Sequence, residues 1–333
     1  MNKINKQRLF RLSAAFCTIL ALFSCKQRDD YPVFEEPKVV EVEKDTIPPD
    51  NNIEAITKKI MDGTDVIKTF KLDSTTVLSS GINRTHVRFQ NRLGQSMSMQ
   101  LLEVDLTTPN VTIQALSPFD DYLYTTQTVS DMAKYNEDRS GGQIIAAING
   151  DAATSGAPTG SFIKTGRQIK TSTTTATTNV RPFIAVKNDG TILIGNRPST
   201  TVPLDAYNLN DFKHLVSGVS WLLYKGDVVN STVTTVQANT AIGLTAGKKL
   251  YALVVDGGNN AFSVGITYND MGKIMKALGC THAFSTNVGT SSVMVQREQT
   301  NDRLEPLIWR VVNKPTTATG VGSVNGIGIV VKK

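Results

Sequence analysis

Two carboxylates stand at the ends of apolar runs and are flanked by small residues. Asp151 follows Ile144–Ile148 (IIAAI) and Asn149-Gly150; Asp256 follows Leu250–Val255 (LYALVV) and precedes Gly257-Gly258. Such a pair is what glycoside or phosphodiester cleavage requires, since two carboxyls flanking the scissile bond can serve as acid and base. A third apolar segment, Ala283-Phe284-Ser285, opens into Asn287-Val288-Gly289-Thr290-Ser291-Ser292, which supplies amide and hydroxyl donors. Asp256 and Asp151 are thus the candidate catalytic residues, and Asn149, Asn287 and Ser291 the candidate donors to substrate oxygens. Gly150, Gly257, Gly289 and Ser292 complete the candidate binding set. An Asp at a strand end also caps turns, and spacing alone leaves both readings open.

Other chemistries find less in the chain. Gly289-Thr290-Ser291-Ser292-Val293 has Val where a nucleophile elbow ends in glycine, and no histidine with an evident partner follows it. Gly320-Val321-Gly322 lacks the rest of a dinucleotide fingerprint, and no Walker lysine follows a glycine loop. His86, His214 and His282 are isolated and read as structural. Three histidines and three cysteines, one of them in the leader, leave no Cys/His zinc site and no disulfide framework. No cofactor and no metal ligand set is expected; calcium at Asp256, Asn259 and Asn260 competes with an ordinary hydrogen-bonded turn.

The elements that must position these residues are legible from periodicity. Thr267 and Asp270 form a capping pair ahead of Met271, Ile274, Met275 and Leu278, which fall on one helical face, and Gly279 marks the stop. If the strands at 250–255 and 283–285 are parallel neighbours joined by that helix, Asp256 and Asn287 emerge together at carboxyl ends, where such sheets bind ligands. A second helix over Thr128–Tyr135 feeds the strand that ends at Asn149. Short strands are expected at Val66–Phe70, His86–Phe89, Met97–Leu106 and Val111–Leu116, and closing ones at Leu307–Val312 and Ile327–Val331. Asn188-Asp189-Gly190 and Lys225-Gly226 read as hairpin turns, and Thr171–Thr178 as an exposed loop. The fold class expected is α+β, a mixed β-sheet with many hairpins and a few flanking helices.

The N-terminus carries an address. Lys3, Lys6, Arg8 and Arg11 precede an apolar run over Leu12–Phe23, too short to span a bilayer, and Leu22-Phe23-Ser24-Cys25 resembles a lipobox. Residues 1–24 are expected to be a lipoprotein signal peptide, Cys25 the lipidation site, 25–62 a flexible tether with one short helix over Ile53–Met61, and 63–333 the folded domain. The product is then a lipoprotein of a bacterial cell envelope, on the periplasmic face or the cell surface. Loss of the leader lowers the formal charge from +6 to +2, so the basic balance gives no case for nucleic acid.

In one order along residues 80–333, the chain resembles the phosphodiester glycosidase family, which includes the lysosomal uncovering enzyme. The likeness rests on Leu102-Glu103-Val104-Asp105-Leu106, Ile148-Asn149-Gly150-Asp151, Pro158-Thr159-Gly160, Arg181-Pro182-Phe183, Thr240-Ala241-Ile242-Gly243 and Val254-Val255-Asp256-Gly257 with Ser263 and Gly265. It continues through Ala283–Val295 and Val324-Asn325-Gly326-Ile327-Gly328. The resemblance implies a glycan or glycosyl-phosphate substrate. Departures gather in the same loops: Asn287 stands for the family's aspartate, Val288 and Thr290 for two glycines, Gly258 and Asn239 for two arginines, and Ala152-Ala153 for an aromatic pair. Lost guanidiniums imply a hollow stripped of its phosphate-gripping cations. Two readings follow: a glycosidase of altered specificity acting on a glycoconjugate through Asp151 and Asp256, or a catalytically inactive relative that binds a glycan or a partner protein.

Overall fold

The computed structural model describes residues 53–137, 141–171, 181–196, 207–299, 307–317 and 319–333. The leader, Cys25, most of the tether and nearly all of the Thr-rich segment lie outside the described residues. Within them the chain is mostly β, with three α-helices.

Among the described residues the paired strands are all antiparallel. An eight-stranded sheet runs in the order Thr69–Ser79, Ile82–Gln90, Ser96–Asp105, Lys249–Val255, Asn239–Thr245, Cys280–Ser285, Ser220–Tyr224, Asp227–Val228. One five-stranded sheet contains Gly142–Asn149 at its centre, between Gly326–Lys332 and Met294–Gln299; Val111–Leu116 and Leu307–Val311 form its edges. Another is built on Phe183–Lys187, Phe212–Ser217 and Phe162–Lys164. Both expected hairpins form, Phe183–Lys187 with Ile192–Gly195 and Ser220–Tyr224 with Asp227–Val228.

One expectation is corrected. The strands at 249–255 and 280–285 run in the same direction but are not neighbours, because Asn239–Thr245 lies between them and pairs antiparallel with each. The connecting helix therefore carries the chain over a strand already in place. Since one strand intervenes, both carboxyl ends still reach the same edge of the sheet, together with the amino end of the inserted strand.

Side-chain alternation decides the layers. From one face of the large sheet Val87, Phe89, Met99, Leu101, Leu253 and Val255 pack under the helices Ala55–Gly63 and Tyr268–Ala277. The predicted helical stripe Met271, Ile274, Met275 and Leu278 is fully buried there, and Thr267 Oγ1 accepts from the Asp270 N–H at 3.2 Å as its cap. Ala55–Gly63 belongs to the same body: Ile60 is buried and Lys59 Nζ donates to the Leu278 carbonyl, so the folded part begins ahead of residue 63. From the other face Leu102, Val104, Ile242, Ala252 and Val254 meet the two five-stranded sheets. Val129–Glu137 covers the far side through Val129, Met132 and Ala133. The edge where the apolar strands end is therefore walled by sheet on two sides, and the polar residues that follow them are buried.

Candidate functional site

Asp256 prolongs the inward-facing row that holds Val254, and its side chain is 2% exposed. Its backbone N–H donates to the Ser98 carbonyl at 3.0 Å, so it lies level with Ser98 on the adjacent strand, and Ser98 in turn opposes Arg88 on the next. Three donors hold the carboxylate. Ser98 Oγ donates to Oδ2 at 3.0 Å, while Asn313 Nδ2 and the Lys314 N–H donate to Oδ1 at 3.0 and 2.7 Å. Because Ser98 has one hydroxyl proton and gives it to Asp256, His86 Nε2, 3.3 Å away, is assigned as a donor to Ser98 Oγ. Burial pushes the Asp256 carboxyl above its ordinary range, against the pull of these donors and of Arg88. The turn that follows is fixed: Ser263 Oγ donates to the Asp256 carbonyl, and Asn259 Oδ1 accepts from the Ala261 and Phe262 N–H groups. That acceptor is committed to the turn rather than turned to a cation. Among the described residues no cluster of three His, Cys, Asp or Glu side chains is placed to hold a metal ion.

Asp151 is fully buried in a different set of partners. Arg181 Nη2 and the Ala152 N–H donate to Oδ1, and the Gly160 N–H donates to Oδ2 at 2.6 Å. Burial pushes this carboxyl up as well, opposed first by the Arg181 charge. Asn325 presses from behind: its Oδ1 accepts from the Asp151 N–H, and a Cβ on Gly150 would lie 2.2 Å from that same oxygen. Gly150 is therefore fixed by close approach and not by a turn.

The third strand end meets the first through backbone. The Asn287 N–H donates to the Gly150 carbonyl at 2.8 Å, and Asn149 Nδ2 donates to the Asn287 carbonyl at 2.7 Å. Asn149 Oδ1 accepts from Thr240 Oγ1 and the Val293 N–H, and its Nδ2 also reaches Thr286. This fully buried amide ties three strand ends and has both ends committed to the protein. Asn287 caps locally, donating to Ser291 Oγ at 3.0 Å and accepting from the Val288 N–H at 3.0 Å. Ala238 separates the loops: a Cβ on Gly257 would sit 2.2 Å from its nitrogen, and the Gly289 N–H donates to its carbonyl at 2.8 Å. Ser292 Oγ is buried without a hydrogen bond, beside Asn313, whose Nδ2 donates to the Ser292 carbonyl.

The structure thus brings Asn149, Gly150 and Asn287 into contact, and links Asp256 to Ser292 through Asn313. No hydrogen bond or ion pair joins the side chains of Asp151, Asp256 and Asn287 to one another. The expectation of a hollow stripped of cations is corrected. Arg181 is paired with Asp151, and Arg88 and Lys314 flank the Phe262 ring at the Asp256 end, with the guanidinium carbon 4.3 Å and the ammonium nitrogen 4.8 Å from the ring centroid. Neither cation forms a salt bridge or donates a side-chain hydrogen bond among the described residues.

Sequence reasoning missed Ser98, Arg88, Phe262, Asn313 and Lys314 as site residues. One signal was present: Ser98 and Gln100 alternate with buried Met97, Met99 and Leu101, so the strand offers a polar row to its inward face. The histidines are structural in setting. His214 is buried and pushed down to about 3 by desolvation, and His282 packs edge-on against Trp221 and Tyr224.

Comparison with known proteins bears on the family and the fold. A family model described as phosphodiester glycosidase matches residues 142–330. The catalytic domain of zebrafish N-acetylglucosamine-1-phosphodiester alpha-N-acetylglucosaminidase, solved auto-inhibited by its pro-peptide, has a similar fold. The TM-score is 0.53 at 18% identity, over 78% of this chain and 87% of that one. A hypothetical protein from Synechocystis is similar at TM-score 0.55 and 11% identity, over 78% of this chain and 64% of that one. No match was found among curated proteins.

Proposed function

The chain belongs to the phosphodiester glycosidase family, and from that premise we propose that it hydrolyses a glycosyl phosphodiester or related glycoside on an exported or cell-surface glycoconjugate. The observation that carries this reading is the Asp256 carboxylate, buried, level with the family's VDG segment, and holding three donors. A carboxylate has about four lone-pair sites, so one is left for a water. Its acidity, weakened by burial, suits it to accept a proton nearer neutrality than an ordinary aspartate would. In the step proposed, water oxygen bonds to the anomeric carbon and gives its proton to Asp256. The bond from that carbon to the phosphate oxygen breaks, and the phosphomonoester leaves with the bonding pair.

Asp151 we place as a positioning residue, because its carboxylate is closed in an ion pair with Arg181, whereas no cation bonds Asp256. Asn149 serves likewise by joining strand ends. Asn287 and Ser291, together with Ser292 and the backbone at Gly150, Gly257 and Gly289, line the binding side. Attachment to a bacterial membrane through lipid on Cys25 is part of the proposal and is supported by the leader sequence alone. A second reading, a glycan-binding relative without turnover, is favoured by one feature: Asn287 stands where the family has aspartate and spends its amide on its own loop.

The test is a panel of sugar phosphodiesters and aryl glycosides assayed with wild type, Asp256→Asn and Asp151→Asn. Hydrolysis lost in Asp256→Asn is expected. Equal residual rates in all three proteins would remove the catalytic assignment, and sugar binding without turnover in wild type would favour the second reading.

A further inference from the structure

Arg88, Ser98 and Asp256 stand level on three successive strands of the large sheet, the first two as direct partners and the last bonded to the Ser98 carbonyl. All three face inward. Lys314 enters from another part of the chain, and its own N–H donates to Asp256 Oδ1 at 2.7 Å. Both cations contact the ring of Phe262, which stands on a turn that Ser263 ties to the Asp256 carbonyl. A guanidinium and an ammonium therefore meet on one ring, each within 5 Å of its centroid, beside a buried carboxylate.

Asp256 is the acidic group nearby, and Arg88 acts on it through space without bonding it. Arg181 bonds Asp151, Lys164 Asp120, Lys249 Glu103, Arg297 Glu137 and Arg310 Glu298, while Arg167, Lys170 and Lys225 each lie singly on a tyrosine ring; among the described residues only Phe262 carries two cations. Arg88 and Lys314 form no salt bridge among the described residues, and Arg88 Nε is buried with no hydrogen-bond partner. Ring contact favours each cation singly, but two like charges on one ring repel, and an anion set between them turns that repulsion into attraction. The anion must offer several acceptor oxygens to a planar guanidinium fork and a compact ammonium, which describes phosphate better than a single carboxylate.

We propose that Arg88 and Lys314, braced on Phe262, form the subsite that grips the phosphate group of the substrate. In this chain they replace the guanidiniums absent at positions 239 and 258. The inference rests on the reading of the chain as acting on glycosyl phosphates, but it concerns binding and can be tested apart from turnover. Ordinary aryl glycosides have no charge for this pair to hold.

The full chain, with Arg88→Gln, Lys314→Gln and the double variant, is titrated calorimetrically with glucose 1-phosphate and with methyl glucoside, at low and high salt. In parallel, KM is measured for a sugar phosphodiester and for a neutral aryl glycoside. Each single change is expected to weaken glucose 1-phosphate binding and raise KM for the diester roughly tenfold, with a smaller salt dependence than wild type. KM for the neutral glycoside should rise less than KM for the diester, since only the diester carries charge for the pair to hold. If wild type hydrolyses the diester and the double variant matches it in KM and in the titration, the subsite is overturned while the hydrolytic reading stands. If nothing is turned over but glucose 1-phosphate binds wild type and not the double variant, the subsite stands and the hydrolytic reading fails. Absence of glucose 1-phosphate binding by wild type overturns the subsite outright. Lys314 has an exposed side chain, so its variant guards against a result that merely reports misfolding.

Discussion

Asp151 and Asp256 make a controlled comparison, since each is buried at the end of an apolar strand, each holds three donors, and each is pushed up by burial. They differ in where the positive charge sits. At Asp151 the guanidinium of Arg181 bonds the carboxylate directly, closing an ion pair that has no use for a third party. At Asp256 the donors are a hydroxyl, an amide and a backbone N–H, while the cations Arg88 and Lys314 stand off on Phe262. Buried charge neutralised internally holds a fold together, whereas charge left in reserve beside a carboxylate is available to a ligand.

The largest effect that could break this comparison is on stability. Removing one partner of a buried pair strands the other, at a cost of about 3–5 kcal/mol. Arg181→Ala should lose that much in urea unfolding, and Arg88→Ala far less. Equal losses would mean that the two cations are not differently employed. Next comes activity: Asp256→Asn should reduce kcat by about a hundredfold or more, the range of a lost general base, while Asp151→Asn acts chiefly through stability. The pH dependence carries a sign. Because burial raises the folded-state pKa of Asp256, the fold binds its proton more tightly than the unfolded chain does. The stability it contributes is full below the ordinary 3.8 and is lost as pH rises through the folded value. Asp256→Asn should therefore gain stability relative to wild type as pH rises through that window, as denaturation at several pH values would show.

A fourth prediction separates the two positions where the family's arginines are missing. At Gly258 an added Cβ meets nothing within 4 Å, but φ is +76°, so Arg there has room and costs about 1–2 kcal/mol for its left-handed backbone. Asn239 is 1% exposed and accepts from Ser285 Oγ at 3.0 Å, so Arg must overpack that space and bury a charge, at about 2–3 kcal/mol or more. Melting of the two single variants distinguishes them. If Asn239→Arg is the better tolerated, this side of the site is looser than the structure shows.

What could be read in advance follows the range of the forces involved. The helix after Thr267 was legible because its cap and its stripe lie within twelve residues, and the strand ends at Asn149 and Asp256 because apolar runs stop abruptly there. Strand order was not legible: a crossover helix is the same whether it lands on a neighbour or steps over Asn239–Thr245. The cations were invisible for a related reason. Ser98 and Asp256 are 158 residues apart, Lys314 is 58 beyond Asp256, and a lone Arg in an alternating strand reads as a solvated face until the opposite wall is known. Departures at 239, 258 and 287 fall at strand ends that reach one edge of the large sheet, but which cations stand there required the fold.

The smallest effect gives the finest discrimination, because it alters the Asp256 surroundings without touching charge. Ser98→Ala deletes the hydroxyl donor to Oδ2 and leaves Asn313 and Lys314 in place. A hydrogen bond to the ionised form lowers a carboxyl pKa, so its loss should raise that of Asp256 further; one pH unit corresponds to about 1.4 kcal/mol. If Asp256 accepts the proton of water, kcat/KM falls as pH drops through its pKa, and the acid limb in Ser98→Ala should move upward by on the order of one unit. The plateau should be nearly unchanged, since the carboxylate is still present and still held. A limb that stays put while the plateau drops would assign Ser98 a direct part in the chemistry and demote Asp256 to the kind of role that Asp151 plays.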